Sequence, residues 1–131
     1  MSNIRHVVVV RTDLRMSEGL LASQVAHICD AFMRQNILKI ALSKNPKKVF
    51  NADEISWISQ PYLSVLAVHS YEDLIEVKGQ AEREGLPIHC WKDLVPSPTV
   101  EGKSIRAFVG LSIGPSDFDA IKIVTGALPL Y

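Results

Sequence analysis

The sequence has few of the features that mark whole classes of protein. Only two cysteines occur in 131 residues, Cys29 and Cys90, whereas a disulfide framework or a zinc site needs more sulfur at closer spacing. No apolar run approaches the roughly 18 residues of a membrane helix, and the four valines near the N-terminus lack the cleavage site of a signal peptide. P-loop and dinucleotide motifs are missing too. We therefore expect a cytoplasmic, reduced protein without membrane association, metal or cofactor.

An excess of charge is also missing. Fourteen basic side chains balance fourteen acidic ones, which argues against strong nonspecific binding to nucleic acid. The distribution is uneven, because residues 1–50 carry eight Lys and Arg against three Asp and Glu, whereas residues 51–131 carry six against eleven. Such a dipolar molecule could present one basic face to phosphates, although an ordinary solvated surface accounts for the asymmetry equally well.

Apolar periodicity predicts four strands, mostly separated by helices. Strands are expected over residues 4–11, 62–69, 87–91 and 106–113, and helices over 18–43, 52–58 and 70–85 and from 116 onward. Gly114-Pro115 should stop the last strand, and the second strand should be buried on both sides. The third and fourth strands have no predicted helix between them, so at least one pair should be antiparallel.

This order of elements predicts one α/β domain over residues 1–131. The expected architecture is a three-layer sandwich with a mixed four-stranded sheet covered by helices on both faces. The segment around Leu128, Leu130 and Tyr131 is apolar where a free end would be polar. We expect it to be held against its own sheet or across a homodimer contact.

Three segments carry the motifs that point to a function. The first is Val10-Arg11-Thr12-Asp13-Leu14-Arg15-Met16 followed by Gly19, Ala22, Gln24 and His27. The second runs from Ser70-Tyr71-Glu72-Asp73-Leu74 through Gly85-Leu86-Pro87 to Asp93. The third comprises Ile113-Gly114-Pro115 and Val124-Thr125-Gly126-Ala127-Leu128-Pro129-Leu130-Tyr131. In this order, and over nearly the whole chain, they resemble the archaeal- and eukaryotic-type peptidyl-tRNA hydrolase family.

The resemblance implies hydrolysis of the ester that joins a peptide to the terminal ribose of tRNA, and it suggests a homodimer. Asp93 matches the family's acid and is expected to orient water or a hydroxyl. Gln24 and His27, on the polar side of the first helix, are further catalytic candidates, and Gln24 would position the substrate or hydrogen-bond its carbonyl. The alternative is that both face solvent or satisfy nearby backbone groups. We expect Asp93, Gln24 and Arg11 to converge near one edge of the sheet.

The resemblance also implies other site residues, but it does not fix their positions or roles uniquely. The family hydroxyl position falls on Ser97, Thr99 or Ser104. Arg11 and Asp13 either pair with each other or bind phosphate. The remaining candidates for substrate contact are basic residues near the predicted site or just after the first helix: Lys103, Arg106, Lys44, Lys47 and Lys48.

The sequence departs from the family pattern at positions that matter for chemistry. Glu18 and Leu20 replace two lysines of the glycine-rich turn, and Leu94-Val95-Pro96 replaces the family's A-G-R. Three functions remain open: a peptidyl-tRNA hydrolase in which Lys103 or Arg106 takes over for the lysine, a noncatalytic relative that binds RNA or a protein, and a hydrolase of another small ester or amide.

Overall fold

The computed structural model describes residues 3–43 and 49–131. Its four strands are β1 (Ile4–Arg11), β2 (Leu63–Val68), β3 (Ile88–Pro96) and β4 (Ser104–Asp117), and its helices are α1 (Glu18–Leu42), α2 (Ala52–Ser59), α3 (Tyr71–Arg83) and α4 (Phe118–Thr125). The sheet has the order β2-β1-β4-β3, with β1 and β2 parallel and the other two pairs antiparallel. The predicted α/β class and mixed four-stranded sheet are confirmed.

The central position of β1 follows from its composition. Its valines are β-branched, suit an extended backbone, and are apolar on both faces. Val7 and Val9 belong to a core cluster with residues of α3 and α4, whereas Val8 and Val10 pack in a second cluster with Ile28 of α1. Helices therefore cover both faces of the sheet, as the sequence predicts.

Local capping fixes where the helices begin. Ser17 Oγ accepts a hydrogen bond from Leu20 N at 3.2 Å, which starts α1 at Glu18. Asn51 and Glu54 form a reciprocal capping box at α2, and Ser70 Oγ accepts from Asp73 N at 3.1 Å at α3. Each cap satisfies a backbone N–H that has no partner inside the helix. None of the helices in the described parts of the chain is long and apolar enough to cross a membrane.

The β3–β4 hairpin is much longer than predicted. Residues 92–96 continue β3 and pair with 104–108 of β4, so the connection is reduced to residues 97–103. The sequence hides this extension because only Val95 is deeply buried in it and Pro96 is a poor strand residue. Cross-strand pairing, rather than local propensity, makes these residues extended.

Gly114-Pro115 does not stop β4, which continues to Asp117. The dipeptide lies where the pairing of β4 with β1 shifts register between Arg5 and Val7. Gly114 has a φ of 101°, which a residue with a side chain rarely adopts. Proline is tolerated at such an irregularity because a residue outside the regular ladder needs no N–H donor.

The edge strand β2 is covered on its outer side by the C-terminal segment. Ala67 N donates to Pro129 O at 2.9 Å and Tyr131 N donates to Val65 O at 3.0 Å, around an antiparallel bridge between Leu66 and Leu130. The prediction that this segment is held in place is confirmed, through its own sheet. The prediction that β2 is buried on both sides is wrong for its first half, since Leu63 is 43% exposed.

Candidate active site

Two hydrogen bonds connect Gln24 of α1 to β3. Trp91 Nε1 donates to Gln24 Oε1 at 2.6 Å, and Gln24 Nε2 donates to Asp93 Oδ2 at 3.0 Å. The predicted convergence of Gln24 and Asp93 is confirmed. The prediction that Gln24 lies on the polar side of α1 is wrong, because Gln24 lies one helical turn before Ile28 on the buried face of the helix and is only 1% exposed.

The chemistry of the three side chains fixes the orientation of the buried amide. An indole nitrogen can only donate a hydrogen bond, and an ionised carboxylate can only accept one. Gln24 must therefore turn its oxygen to Trp91 and its NH₂ group to Asp93. A rotation of the amide by 180° would place two donors and two acceptors against each other, so Trp91 determines which group of Gln24 meets Asp93.

Asp93 is held in its charged form. The hydrogen bond from Gln24 is the largest cause that lowers the pKa of Asp93 below its usual value of 3.8. The bond from Leu94 N to Asp93 Oδ1, at 2.8 Å, acts in the same direction, as do the charges of His27 and Arg106. Each carboxylate oxygen accepts one bond and keeps capacity for another. Asp93 can therefore accept a hydrogen bond from a bound water or hydroxyl.

An exposed stack of side chains lies beside Gln24. The rings of His27 and Trp91 are nearly parallel, at 16°, with centroids 4.8 Å apart. The Arg34 guanidinium lies 5.5 Å from the Trp91 ring and donates to the His27 carbonyl at 2.8 Å. Arg34 also pairs with Asp30 at 2.6 Å. His27 thus reaches the site through its contact with Trp91 and remains exposed to solvent.

The three hydroxyl candidates lie on or beside the β3–β4 connection. Ser97 Oγ accepts from Thr99 N at 3.2 Å and from Val100 N at 3.0 Å, so it caps this turn. Thr99 Oγ1 lies 3.4 Å from Ser97 Oγ, and Ser104 pairs with Pro96 at the start of β4. The hydrogen bonds give Ser97 a structural task in the turn, and the catalytic assignment of a hydroxyl stays a prediction.

Arg11 and Asp13 do not join Gln24 and Asp93. Arg11 binds both carboxylate oxygens of Asp13, at 2.9 and 2.7 Å, and a third nitrogen donates to Phe108 O at 3.3 Å. Its guanidinium lies 5.8 Å from the Tyr71 ring, which places it on the α3 face of the sheet. The hydrogen bond from Arg11 lowers the pKa of Asp13. Ion pairing, the first of the two alternatives for these residues, is therefore what the structure contains.

The other basic candidates for substrate contact lie in the β3–β4 hairpin or just after α1. Arg106 pairs with Leu94 in the hairpin, and Lys103 precedes the same strand; both are exposed. Neither forms an ion pair within residues 3–43 and 49–131. The predicted cluster of Lys44, Lys47 and Lys48 lies outside the described residues.

Leu20 occupies an apolar environment rather than an open polar one. Its side chain is half-buried and packs against the core cluster on the α1 face. Glu18 is exposed in the first turn of α1. Neither residue supplies the positive charge that the family motif has at these positions.

Comparison with known proteins identifies the family. The model of the family described as "Peptidyl-tRNA hydrolase PTH2" matches residues 4–131. The chain belongs to the PTH2 family. A peptidyl-tRNA hydrolase of Methanocaldococcus jannaschii is 32% identical over 97% of this chain and 99% of its own length. One from Methanopyrus kandleri is 34% identical over 96% and 97%. The bovine mitochondrial peptidyl-tRNA hydrolase 2 is 30% identical over 95% of this chain and 63% of its length.

Sequence reasoning missed Trp91 and Arg34 in this PTH2 chain. Trp91 resembles an ordinary core residue of a short strand, and Arg34 lies outside the family motifs. The available signal was the spacing of Trp91 and Asp93, which places both side chains on one face if the strand continues. Ending the predicted strand at Trp91 concealed that relationship. The described residues contain no group of three or more His, Cys, Asp or Glu able to hold a metal ion.

Proposed function

We propose that this chain hydrolyses the ester bond of peptidyl-tRNA, and that Asp93 and Gln24 carry the reaction. Membership of the PTH2 family supports the reaction class. The single observation that carries the assignment of the site is the hydrogen bond between buried Gln24 and Asp93, because both residues lie on family motifs that are 69 positions apart. Gln24 and Asp93 are far apart along the chain, and the fold brings them into one site.

In this mechanism a water molecule adds to the acyl carbon, and the bond from that carbon to the ribose oxygen breaks. The products are a peptide with a free carboxylate and a tRNA with a free terminal hydroxyl; one proton of the water ends on the ribose oxygen, and the other passes to solvent. The pKa of Asp93 is below its usual range, and general bases work best when their pKa is near the operating pH. Asp93 therefore acts mainly by orienting and polarising the water, and Gln24 keeps the carboxylate charged and in place.

The substrate is a polyanion, so its binding needs positive charge near Asp93. Arg106 is close enough to lower the pKa of Asp93, and Lys103 lies in the same hairpin. Both are exposed and available for phosphate contact. Binding that releases counterions from phosphates weakens as the salt concentration rises, so these two residues should account for part of the salt dependence of tRNA binding.

The decisive experiment compares turnover of a model peptidyl-tRNA by the native protein and by Asp93→Asn. The asparagine side chain retains an acceptor for Leu94 N but loses the charge. We expect the rate to fall by about a hundredfold or more, because loss of the correct position of a reacting group typically costs about this much. Asp119→Asn, in an exposed ion pair on α4, is the matched control and should keep the native rate. Equal rates for native protein and Asp93→Asn would exclude Asp93.

A noncatalytic binding role is the second candidate, and the environment of Leu20 favours it. A half-buried leucine packed on the core stands where the family has a charged lysine. This alternative predicts that the native protein binds peptidyl-tRNA without turnover. Binding by the native protein, with no hydrolysis by either the native protein or Leu20→Lys, would establish it in place of the enzyme.

We also infer a homodimer that works in the cytoplasm. An exposed apolar surface runs from α1 across the outer part of β2 to the C-terminal segment, lined by Leu21, Val25, Leu63, Val65 and Tyr131. A second copy of the chain would bury it, and Leu63→Lys should then lower the mass measured by sedimentation. The free thiols of Cys29 and Cys90 support a reducing compartment.

A further inference from the structure

The stacking of His27 on Trp91 is unusual within this protein. The other ring pairs of the described residues meet edge to face, at 74–85° between planes, whereas His27 and Trp91 lie at 16°. Three of these pairs join the buried rings of His6, Phe32 and Trp57. A parallel pair at the surface instead presents a flat aromatic face to whatever approaches it.

Trp91 covers one face of the His27 ring, yet His27 as a whole is exposed. We therefore take the face turned away from Trp91 as the one available to a ligand. We call the stacked rings of His27 and Trp91 the platform. Two sets of contacts hold it in place: Trp91 donates to Gln24, and Arg34 lies over the indole and donates to the His27 carbonyl. The flat face is therefore prearranged, which lowers the entropy lost when a ligand binds.

The platform lies next to the proposed chemistry. A single amide group, that of Gln24, separates the Trp91 indole from the Asp93 carboxylate. In the substrate, the ester and the terminal base are attached to the same ribose. A substrate whose ester carbon reaches Asp93 would therefore hold its terminal base within about one sugar ring of that point, in the neighbourhood of the stack.

We propose that the exposed face of His27, supported by Trp91, stacks on the terminal adenine of the tRNA 3′ end. This inference rests on the proposed function and adds a nucleobase subsite to it. Unpaired RNA ends are recognised by stacking of their bases on aromatic rings and guanidinium groups, which are the groups present here. The stack would fix the ribose, and through it the direction from which the ester approaches Asp93.

The test uses binding, so that it does not depend on turnover. The probes are two short RNAs ending in C-C-A that carry a non-hydrolysable aminoacyl amide, one intact and one with the terminal base removed. The native protein should bind the intact probe about tenfold more tightly, since each base–aromatic stack contributes in this range. His27→Ala should bind both probes equally, and His27→Phe should keep the preference because it keeps the ring.

The matched control is His69→Ala, a change of an exposed histidine that contacts Thr12 rather than an aromatic ring. It should retain the full preference for the intact probe. A preference that survives in His27→Ala, or no preference in the native protein, would overturn the subsite.

A hydrolysis assay separates this inference from the proposed function. The substrates are the esters that correspond to the two probes. Base discrimination in binding without any hydrolysis would support the stack and refute the enzyme. Hydrolysis with equal kcat/KM for both esters would support the enzyme and refute the stack. If both proposals hold, loss of the base should mainly raise KM.

Discussion

Trp91 and Asp93 lie two residues apart on β3, and the side-chain amide of Gln24 joins them. The indole N–H lies 2.6 Å from one end of that amide, and the carboxylate lies 3.0 Å from the other. Because the amide is buried, its orientation is not averaged by water. Trp91 therefore affects the Asp93 carboxylate without contacting it, because its hydrogen bond determines which group of the Gln24 amide faces Asp93.

Trp91→Phe should weaken both stability and the control of Asp93. The change leaves buried Gln24 Oε1 without a donor, which typically costs about 1–3 kcal/mol, and lets the amide rotate. An amide oxygen turned to Asp93 would raise the pKa of that carboxyl. The measurements are urea unfolding and the pH profile of kcat/KM, whose acid limb should move to higher pH.

Trp57→Phe is the matched control for this change. Trp57 also donates an indole bond, to Tyr62 O at 2.7 Å, but it lies in the core with His6 and Phe32. Its loss should lower stability and leave the pH profile unchanged. A shift of the acid limb in both variants would show that general loosening, rather than the amide of Gln24, controls Asp93.

Gln24→Met should raise the pKa of Asp93. The variant keeps the length of the side chain but removes the hydrogen bond that is the largest cause of the lowered pKa. The carboxyl carbon of Asp93, followed by NMR through an acid titration, should report a pKa nearer its usual value. Gln80→Met on α3 is the control and should leave it unchanged; an unmoved Asp93 in Gln24→Met would contradict this account.

Leu20→Lys should raise the rate of peptidyl-tRNA hydrolysis. Leucine at this half-buried position has a stem that lysine can reproduce while its ammonium group reaches solvent. Removal of one charge-stabilising donor costs about a hundredfold or more, so a restored one should give roughly tenfold even in an unadapted site. Leu20→Met keeps the packing without the charge and should have the native rate. A high native rate that Leu20→Lys does not change would mean that another group takes the role of the lysine, and Lys103 and Arg106 of the β3–β4 hairpin would be the first candidates to replace.

Acid should destabilise the protein through His6. This residue is fully buried and contacts the rings of Phe32 and Trp57 edge to face. The Cys29 thiol lies 4.0 Å from its Nδ1, and His89 is close enough to affect its pKa. Burial, followed by the charge of His89, lowers the pKa of His6 from 6.5 to about 4. Between pH 6.5 and 4, His6 binds a proton in the unfolded chain but not in the folded one. The contribution of His6 to stability is therefore complete above pH 6.5 and falls as the pH drops towards 4.

The expected loss from His6 over this interval is about 3 kcal/mol, with His89, whose pKa burial also lowers, acting in the same direction. Unfolding free energies measured from neutral pH down to the folded-state pKa of His6 would test it. His6→Phe should flatten the pH dependence. Phe32→Leu, which removes a neighbour of the same ring, should lower stability equally at every pH. A slope unchanged in His6→Phe would exclude His6 as its source.

The sequence predicts those parts of the fold whose cause is local. Ser17 and Ser70 mark helix starts because their hydroxyls cap the following turns, and the valines of β1 require burial on both faces. The extension of β3 is not local, since residues 92–96 are strand only because residues 104–108 pair with them. The burial of Gln24 has a local signal, because Gln24 lies four residues before Ile28 and eight before Phe32 on one face of α1. Its partners Trp91 and Asp93 could not be predicted, because they come from the strand whose extension is not local.

The short pairing between residues 129–131 and β2 limits the size of the sheet. An edge strand whose N–H and C=O groups are free is a template on which further chains can add strands and grow into fibres. Here Ala67 N and Val65 O are already occupied by the segment's own backbone. At the opposite edge, β3 exposes Lys92 and breaks its register beside it, and both features discourage strand addition. We therefore expect copies of this protein to contact one another through side chains rather than by adding strands to the four-stranded sheet.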